Sequence, residues 1–227
     1  MSLIELPDLA QGSEEWHDQR RGMVTASVVG QLITPSTITP ASNDYSRSLT
    51  ALLVAERITG YTEPTFMNND MLRGVMDEPH ARDLYGDNFY PVTESGFMVR
   101  DDWGYSIGYS PDGIVGDHGL IEVKSRRQKK HLQTILADKV PIENVAQIQC
   151  GLLVSGREWL DYISYCGGMP MWVKRVYADP KWAEAIVNAV AAFEVAAEQM
   201  TTAYDMATRG LPFTERRDYF AEMEVTF

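Results

Sequence analysis

The chain has 227 residues, 44% of them hydrophobic and 23% charged, which excludes a disordered or fibrous polymer and allows a domain with its own core. Its two cysteines, Cys150 and Cys166, are too few for a disulfide scaffold and lack zinc-ligand spacing, so buried thiols in a reducing, cytoplasmic setting are expected. Lys and Arg total 20 against 32 Asp and Glu, and the resulting net charge of −12 argues, taken alone, against a partner held through its phosphates.

Residues 1–10 carry Glu5, Pro7 and Asp8 and show no basic-then-apolar leader, and no apolar run is long enough for a membrane span. Residues 14–20 and 25–33 read as short helices. Residues 34–46, with Pro35, Pro40 and several Ser, Thr and Asn, read as a polar loop. Leu49, Leu52, Leu53 and Ile58 then mark one face of a helix that Gly60 stops. Another helix is expected over 70–85, where Pro79 removes a backbone donor and should kink the chain around Glu78.

The texture changes after residue 94. Segments 95–100, 103–109, 113–115 and 120–124 are rich in aromatic and β-branched residues and are separated by turn formers, which reads as an antiparallel meander. Helices follow at 131–137 and 142–154, then strands at 159–166 and 171–177. A last helix spans 181–208. Trp182, Ile186, Ala189, Phe193, Ala197, Met200 and Tyr204 recur along it every three or four residues, a stripe for packing on the core or on another subunit. The whole reads as one mixed α/β domain over 1–227.

The chemistry gathers around Ser110-Pro111-Asp112-Gly113 and Ile121-Glu122-Val123-Lys124. Side chains alternate along a strand, so Glu122 and Lys124 point the same way and Val123 points into the core. If 113–115 and 120–124 form a hairpin, Asp112 approaches Glu122. Two adjacent carboxylates repel unless a cation sits between them. Oxygen donors favour a hard ion such as Mg²⁺ or Mn²⁺, and a pair of ions would suit an in-line displacement at phosphorus. Directly after this strand the chain reads Lys-Ser-Arg-Arg-Gln-Lys-Lys-His from Lys124 to His131, with no acid. That run is either a phosphate-facing surface or a solvated basic loop. His17, His80, His118 and His131 show no metal-ligand spacing and are expected to be ordinary hydrogen-bonded side chains. Thr25 and Ser27 lie where a helix would start, whose free N–H groups attract anions, with Arg20 nearby; the alternative is an N-cap at Thr25 and a solvated Arg20.

Asp112 followed by Glu122-x-Lys124 resembles the Pro-Asp…(Asp/Glu)-x-Lys nuclease superfamily. Within it, five motifs in order are similar to the phage lambda exonuclease family (YqaJ-type viral recombinases). They are Trp16-His17-x-x-Arg20-x-Gly22 with Val24-Thr25-Ala26-Ser27, Arg73-Gly74 with Glu78, Ser110-Pro111-Asp112-Gly113, Glu122-x-Lys124, and Ala146-Gln147-Ile148-Gln149. The resemblance implies a restriction-endonuclease-like core, a central mixed β-sheet flanked by helices. It implies Glu78, Asp112, Glu122 and the Val123 carbonyl as ligands of two Mg²⁺ ions, with Mn²⁺ as a substitute. It makes Lys124 the general base or water-orienting group and puts Gln147 on the attacking water or a phosphate oxygen. Arg20, Thr25, Ser27 and Ser110 would hold a 5′-phosphate, and Met71 or Leu72 would wedge the duplex end, although a core role for at least one of the two is also expected.

The activity so implied is 5′→3′ exonuclease digestion of linear double-stranded DNA to mononucleotides. It would come from a ring-shaped homotrimer, a phage or prophage protein in the cytoplasm of a bacterial host, leaving a 3′ overhang for a single-strand annealing recombinase. The alternatives are a structure-specific or restriction-type endonuclease with the same metal site, and a non-catalytic DNA-binding scaffold.

Overall fold

The computed structural model describes residues 2–64 and 67–217. Strand β1 (Leu3–Leu6) leads to helix α1 (Glu14–Arg20), where the Ser13 side chain accepts from the Trp16 N–H and Glu14 and Glu15 lie in the first turn. The helix expected over 25–33 is split instead. Val24 and Thr25 form β2, pairing in parallel with Ile107 and Gly108, and only one turn, α2 (Ala26–Val29), and a 3₁₀ turn (Gly30–Leu32) remain helical. The polar loop expected over 34–46 begins in a small hairpin of β3 (Ile33–Thr34) and β4 (Thr39–Pro40). Helix α3 (Asp44–Thr59) follows, capped by reciprocal bonds between Asn43 and Ser46 and closed by Gly60 at φ 60°. Helix α4 (Asn69–Asn88) runs through Pro79 as one uninterrupted helix and buries Ala81 and Tyr85.

The central strands are β5 (Phe97–Arg100), β6 (Ile107–Tyr109), β7 (Gly113–Val115), β8 (Gly119–Ser125), β9 (Trp159–Tyr165) and β10 (Trp172–Tyr177). They do not make one meander. One mixed sheet has the order β1-β5-β6-β2 and a second β10-β9-β8-β7, so the chain changes sheets between β6 and β7. The crossing occurs at Ser110-Pro111-Asp112, where proline has no N–H to extend a ladder. The Asp112 side chain, rather than its backbone, reaches β8. Strands β8 and β9 pair in parallel, joined through α5 (Gln128–Ala137) and α6 (Ile142–Ser155). The last helix is α7 (Pro180–Ala207).

The layers follow from what each face buries. Helices α6 and α7 cover one face, with Ile148, Leu152, Ile186 and Phe193 packed on Ile107, Tyr109, Leu120 and Leu160 in the larger core. Helix α4 covers the other face, where Ala81 and Tyr85 meet Ile121, Val123 and Ile163. Residues Gly119 to Val123 of β8 are all buried, as expected of a strand covered on both faces; Glu122 is the ionisable residue among them. The α7 stripe is core from Trp182 to Ala197, but Met200 and Tyr204 are 36% and 40% exposed because the helix outruns the sheet. No described helix is long and apolar enough to cross a membrane.

Gly151 of α6 lies against the Tyr109 ring, and a Cβ there would stand 2.7 Å from Tyr109 Cζ. Overpacking of this kind costs about 1–3 kcal/mol. Gly151→Ala should therefore lower the Tm by about 3–8 °C in a thermal melt, and an unchanged Tm would show that helix and strand separate freely.

Candidate active site

The site is built on the end of β8 that β7 leaves uncovered. Pairing between the two strands ends at Gly113↔Ile121, so the next outward-facing N–H on β8 is that of Val123. It donates to Asp112 Oδ2 at 2.7 Å. A strand residue directs its N–H and C=O to the same side, so the Val123 carbonyl also faces the Asp112 edge. The side chains of Glu122 and Lys124 leave the sheet on the face opposite that of Val123, toward α6. Lys124 Nζ stands 2.6 Å from Glu122 Oε1, and Gln147 Nε2, from α6, donates to the same oxygen at 2.5 Å. Glu78 projects from α4, with Arg82 one turn further on donating to it at 3.3 Å. Glu78, Asp112, Glu122, Lys124 and Gln147 all line one cavity of about 520 Å³.

The electrostatics of this wall are unfavourable to its own charges. Burial, then repulsion from Glu122 and Glu78, holds the Asp112 carboxyl well above the usual carboxylate range, against the opposing pull of Lys124 and the Val123 N–H. Burial likewise raises Glu78; Arg82 counters this and Glu122 adds to it. Burial works against the Lys124 ammonium, but Glu122 and Asp112 outweigh it and the net shift is upward. Glu122 is 1% exposed in its side chain, and its Oε2 is buried without a hydrogen-bond partner.

Among the described residues no three His, Cys, Asp or Glu side chains stand close enough to form a ready cation cage. The acids share a cavity without converging on a point, and Glu78 is engaged by Arg82. In kind, however, the donors fit a hard divalent ion. They are all oxygens, one is buried and unpartnered, and a cation would relieve their mutual repulsion.

At the other end of the cavity lie the residues of the N-terminal motif. Trp16 and Arg20 stand one turn apart on α1, and the guanidinium stacks over the indole at 4.0 Å. Arg20 donates to Ser110 Oγ at 3.4 Å, Thr25 Oγ1 at 3.3 Å and Ser27 Oγ at 3.0 Å. Trp16 Nε1 donates to the same Ser110 oxygen at 2.9 Å. No described carboxylate pairs with Arg20, and burial, partly offset by Glu56, pulls its guanidinium down to about 10. Thr25 does not cap α2 with its side chain, and a helix of one turn contributes little dipole, so the hydroxyls and Arg20 make this end polar.

Other residues fall less simply. Met71 lines the cavity at 44% exposure and Leu72 is 46% exposed, so neither has the core role expected for one of them. No residue of α4 before Ala81 is buried, so these side chains stay uncovered. The basic run does not lie wholly in this cavity, and its Arg126, Arg127 and Lys129 line a second, open one. Lys124 is in the cavity, Arg126 donates to Asn144 and Tyr162, Arg127 and Lys130 pair with Asp70 and Glu143, and His131 is buried between Ser164 Oγ and the Pro170 carbonyl. Cys150 is a buried thiol pushed up to about 12 by burial, and Cys166 is also buried. Tyr109, Ser125 and Asp70 line the cavity without having been singled out from the sequence. Ser125 had a readable signal, since it directly follows Lys124 on the strand; Tyr109 and Asp70 had none.

The repulsion at Asp112 is testable on stability alone. A carboxyl raised in the fold adds stability that is complete below its unfolded value, about pH 4, and is lost as pH rises through the folded one. Asp112→Asn keeps an acceptor for the Val123 N–H and removes the charge. In metal-free buffer at pH 7–8 it should raise the Tm by about 2–4 °C, the gain shrinking toward pH 4. A Tm below wild type at neutral pH would mean that the carboxylate is not under repulsion.

No match to the chain is found among curated protein sequences. Among solved structures it resembles an alkaline exonuclease (LHK-Exo) from Laribacter hongkongensis, with 32% identity and a TM-score of 0.78 over 88% of this chain and 100% of that one. The same values hold for that protein's complex with dAMP. A phage related exonuclease from Haemophilus somnus 129PT gives a TM-score of 0.62 at 14% identity, over 80% of this chain and 96% of that one, a likeness of fold alone. The YqaJ-like viral recombinase domain matches residues 15–158, a span that opens just before Trp16 and Arg20 and closes just beyond the helix that carries Gln147. With both ends of the cavity inside that match, the chain belongs to the YqaJ-like viral recombinase family.

Proposed function

We propose that the protein is a divalent-cation-dependent exonuclease that degrades one strand of linear duplex DNA in the 5′→3′ direction. One observation carries the reading: a single cavity joins an arginine that forms no ion pair with a described carboxylate and is ringed by hydroxyls to a buried wall of acids with a lysine. Arg20, Ser110, Thr25 and Ser27 suit the terminal 5′-phosphate, because a guanidinium and hydroxyls donate to its oxygens without a competing anion. Glu78, Asp112, Glu122 and the Val123 carbonyl would hold one or two cations, Mg²⁺ or Mn²⁺. Bound there, the cation supplies Lewis-acid polarisation of the phosphoryl group and a readily deprotonated water.

The protein groups do the positioning. Glu122 anchors both Lys124 and Gln147 on its Oε1, so their remaining N–H donors are aimed into the cavity at the attacking water and a phosphate oxygen. Water oxygen bonds to phosphorus, the bond from phosphorus to the 3′-oxygen of the terminal nucleotide breaks, and that oxygen takes a proton. The products are a 5′-mononucleotide and a strand whose new end again carries a 5′-phosphate, the group Arg20 suits. The complex of the Laribacter enzyme with dAMP, a mononucleotide, supports this product class. The surviving 3′ strand would then be available to a single-strand annealing recombinase. A ring-shaped homotrimer around the duplex would let a chain of net charge −12 stay on DNA without a strongly basic surface.

Digestion of linear duplex should require Mg²⁺ or Mn²⁺ and leave closed circular plasmid intact; cutting of circles would favour an endonuclease. Lys124→Ala should lower the rate by about 10²–10³-fold. Arg20→Ala should erase a preference of about tenfold or more for phosphorylated over hydroxyl 5′ ends, measured by competition between the two substrates. Mg²⁺ should raise the wild-type Tm by several degrees and leave Glu122→Gln unmoved; equal shifts in both would place the ion elsewhere.

A further inference from the structure

Beside the catalytic cavity lies a second, open one of about 520 Å³, lined by Arg73, Arg126, Arg127 and Lys129, with Asp77 the one acid among the described residues that line it. We infer that this basic cavity binds the phosphates of the degraded strand on the 3′ side of the scissile linkage, and that Asp70 stands in for one of them until DNA displaces it. The inference rests on the nuclease reading above.

The two cavities meet along a chain of contacts. Arg20 reaches Ser110, Asp112 lies two residues on and bonds to Val123, and Ser125 follows Lys124 on the same strand. Ser125 Oγ accepts from Arg73 Nε at 2.9 Å and donates to Asp77 at 2.6 Å. A strand entering with its 5′-phosphate at Arg20 and its first linkage at Glu122 and Lys124 therefore meets Arg73 next.

Asp70 is fixed at this point by the start of α4, where the Asn68 side chain accepts from the N–H groups of Asp70 and Met71, each at 2.9 Å. Its single oxygen Oδ1 receives Arg73 Nη1 at 2.7 Å and Arg127 Nε at 2.9 Å. One oxygen held by two guanidinium groups is also the arrangement of a clamped phosphodiester oxygen. Arg127 is 71% exposed in its side chain and Asp70 49%, so the pairing is weak and readily exchanged. Among the described residues no carboxylate forms an ion pair with Arg126 or Lys129, and Arg126 Nε is buried without a hydrogen-bond partner. The cavity is thus cationic in excess of its own acids, in a chain that is acidic overall.

The test is steady-state digestion of 5′-phosphorylated duplex, and of duplexes with a single neutral methylphosphonate at each of the first few linkages 3′ of the scissile one. Circular dichroism checks that each variant is folded, and Arg127→Gln backs up Arg127→Ala. Arg127→Ala should raise KM about five- to tenfold with kcat within about twofold, and lower the salt dependence of log KM by about one unit of slope. Asp70→Asn should lower KM about threefold, because the competing anion is gone. A methylphosphonate at the clamped linkage should weaken binding to wild type and add nothing in Arg127→Ala. If Asp70→Asn leaves KM unchanged or raises it, Asp70 only staples the helix and the inference fails. It fails equally if Arg127→Ala responds to every methylphosphonate as wild type does. Absence of digestion by wild type would instead remove the nuclease reading itself.

Discussion

Everything in this site depends on acids being held together where they repel one another. Asp112 and Glu122 enter the same cavity from β7's start and from β8, and Glu78 enters from α4. Burial and mutual repulsion raise Asp112 and Glu78, while Lys124 and Arg82 supply only part of the missing positive charge. No core would assemble such a group for stability, since replacing it with apolar side chains would relieve the strain. The fold supports it through rigid neighbours: a strand covered on both faces, a helix on each side, and a backbone N–H of β8 that ties Asp112 in place.

The remainder of the architecture can be understood as bracing for that group. Tyr85, two turns beyond Glu78 on α4, donates to Asp161 Oδ2 at 2.7 Å, and Arg175 forks onto both oxygens of Asp161 at 2.8 Å each. This buried cluster clamps α4 to β9 and β10 and so fixes the helix from which Glu78 projects. On the opposite face Gly151 lets α6 approach Tyr109, bringing Gln147, one turn earlier on the same helix, to Glu122. Strain at the centre is thus matched by conventional packing and paired charge around it.

The sequence made some of this legible and concealed the rest for identifiable reasons. Glu122, Val123 and Lys124 could be read because a strand alternates with period two, and Asp112 because Pro-Asp-Gly marks the turn beside it. The helices over 14–20, 142–154 and 181–208 carried periodic apolar faces or caps and match α1, α6 and α7 closely. The change of sheet between β6 and β7 was hidden, because local pattern says which segments are strands and not which strands pair. Strand β1 is four residues long with Glu5 in the middle, too short and too polar to announce itself. Thr25 reads as the start of a helix and Val24 as no element, because only their parallel partner, more than eighty residues away, makes them a strand. The Asp70–Arg127 bridge and the Tyr85–Asp161–Arg175 cluster are likewise contacts between distant segments, with no local signature.

The central claim is that one cavity grips a 5′ end and hydrolyses the linkage next to it. The most direct measurement follows the fate of a radioactive 5′-terminal phosphate on linear duplex through the first turnovers with Mg²⁺ present. The account predicts that the label leaves at once and only as a mononucleotide, with no labelled fragment of intermediate length at any time. Label released first in oligonucleotides, or retained while the opposite end shortens, would contradict it.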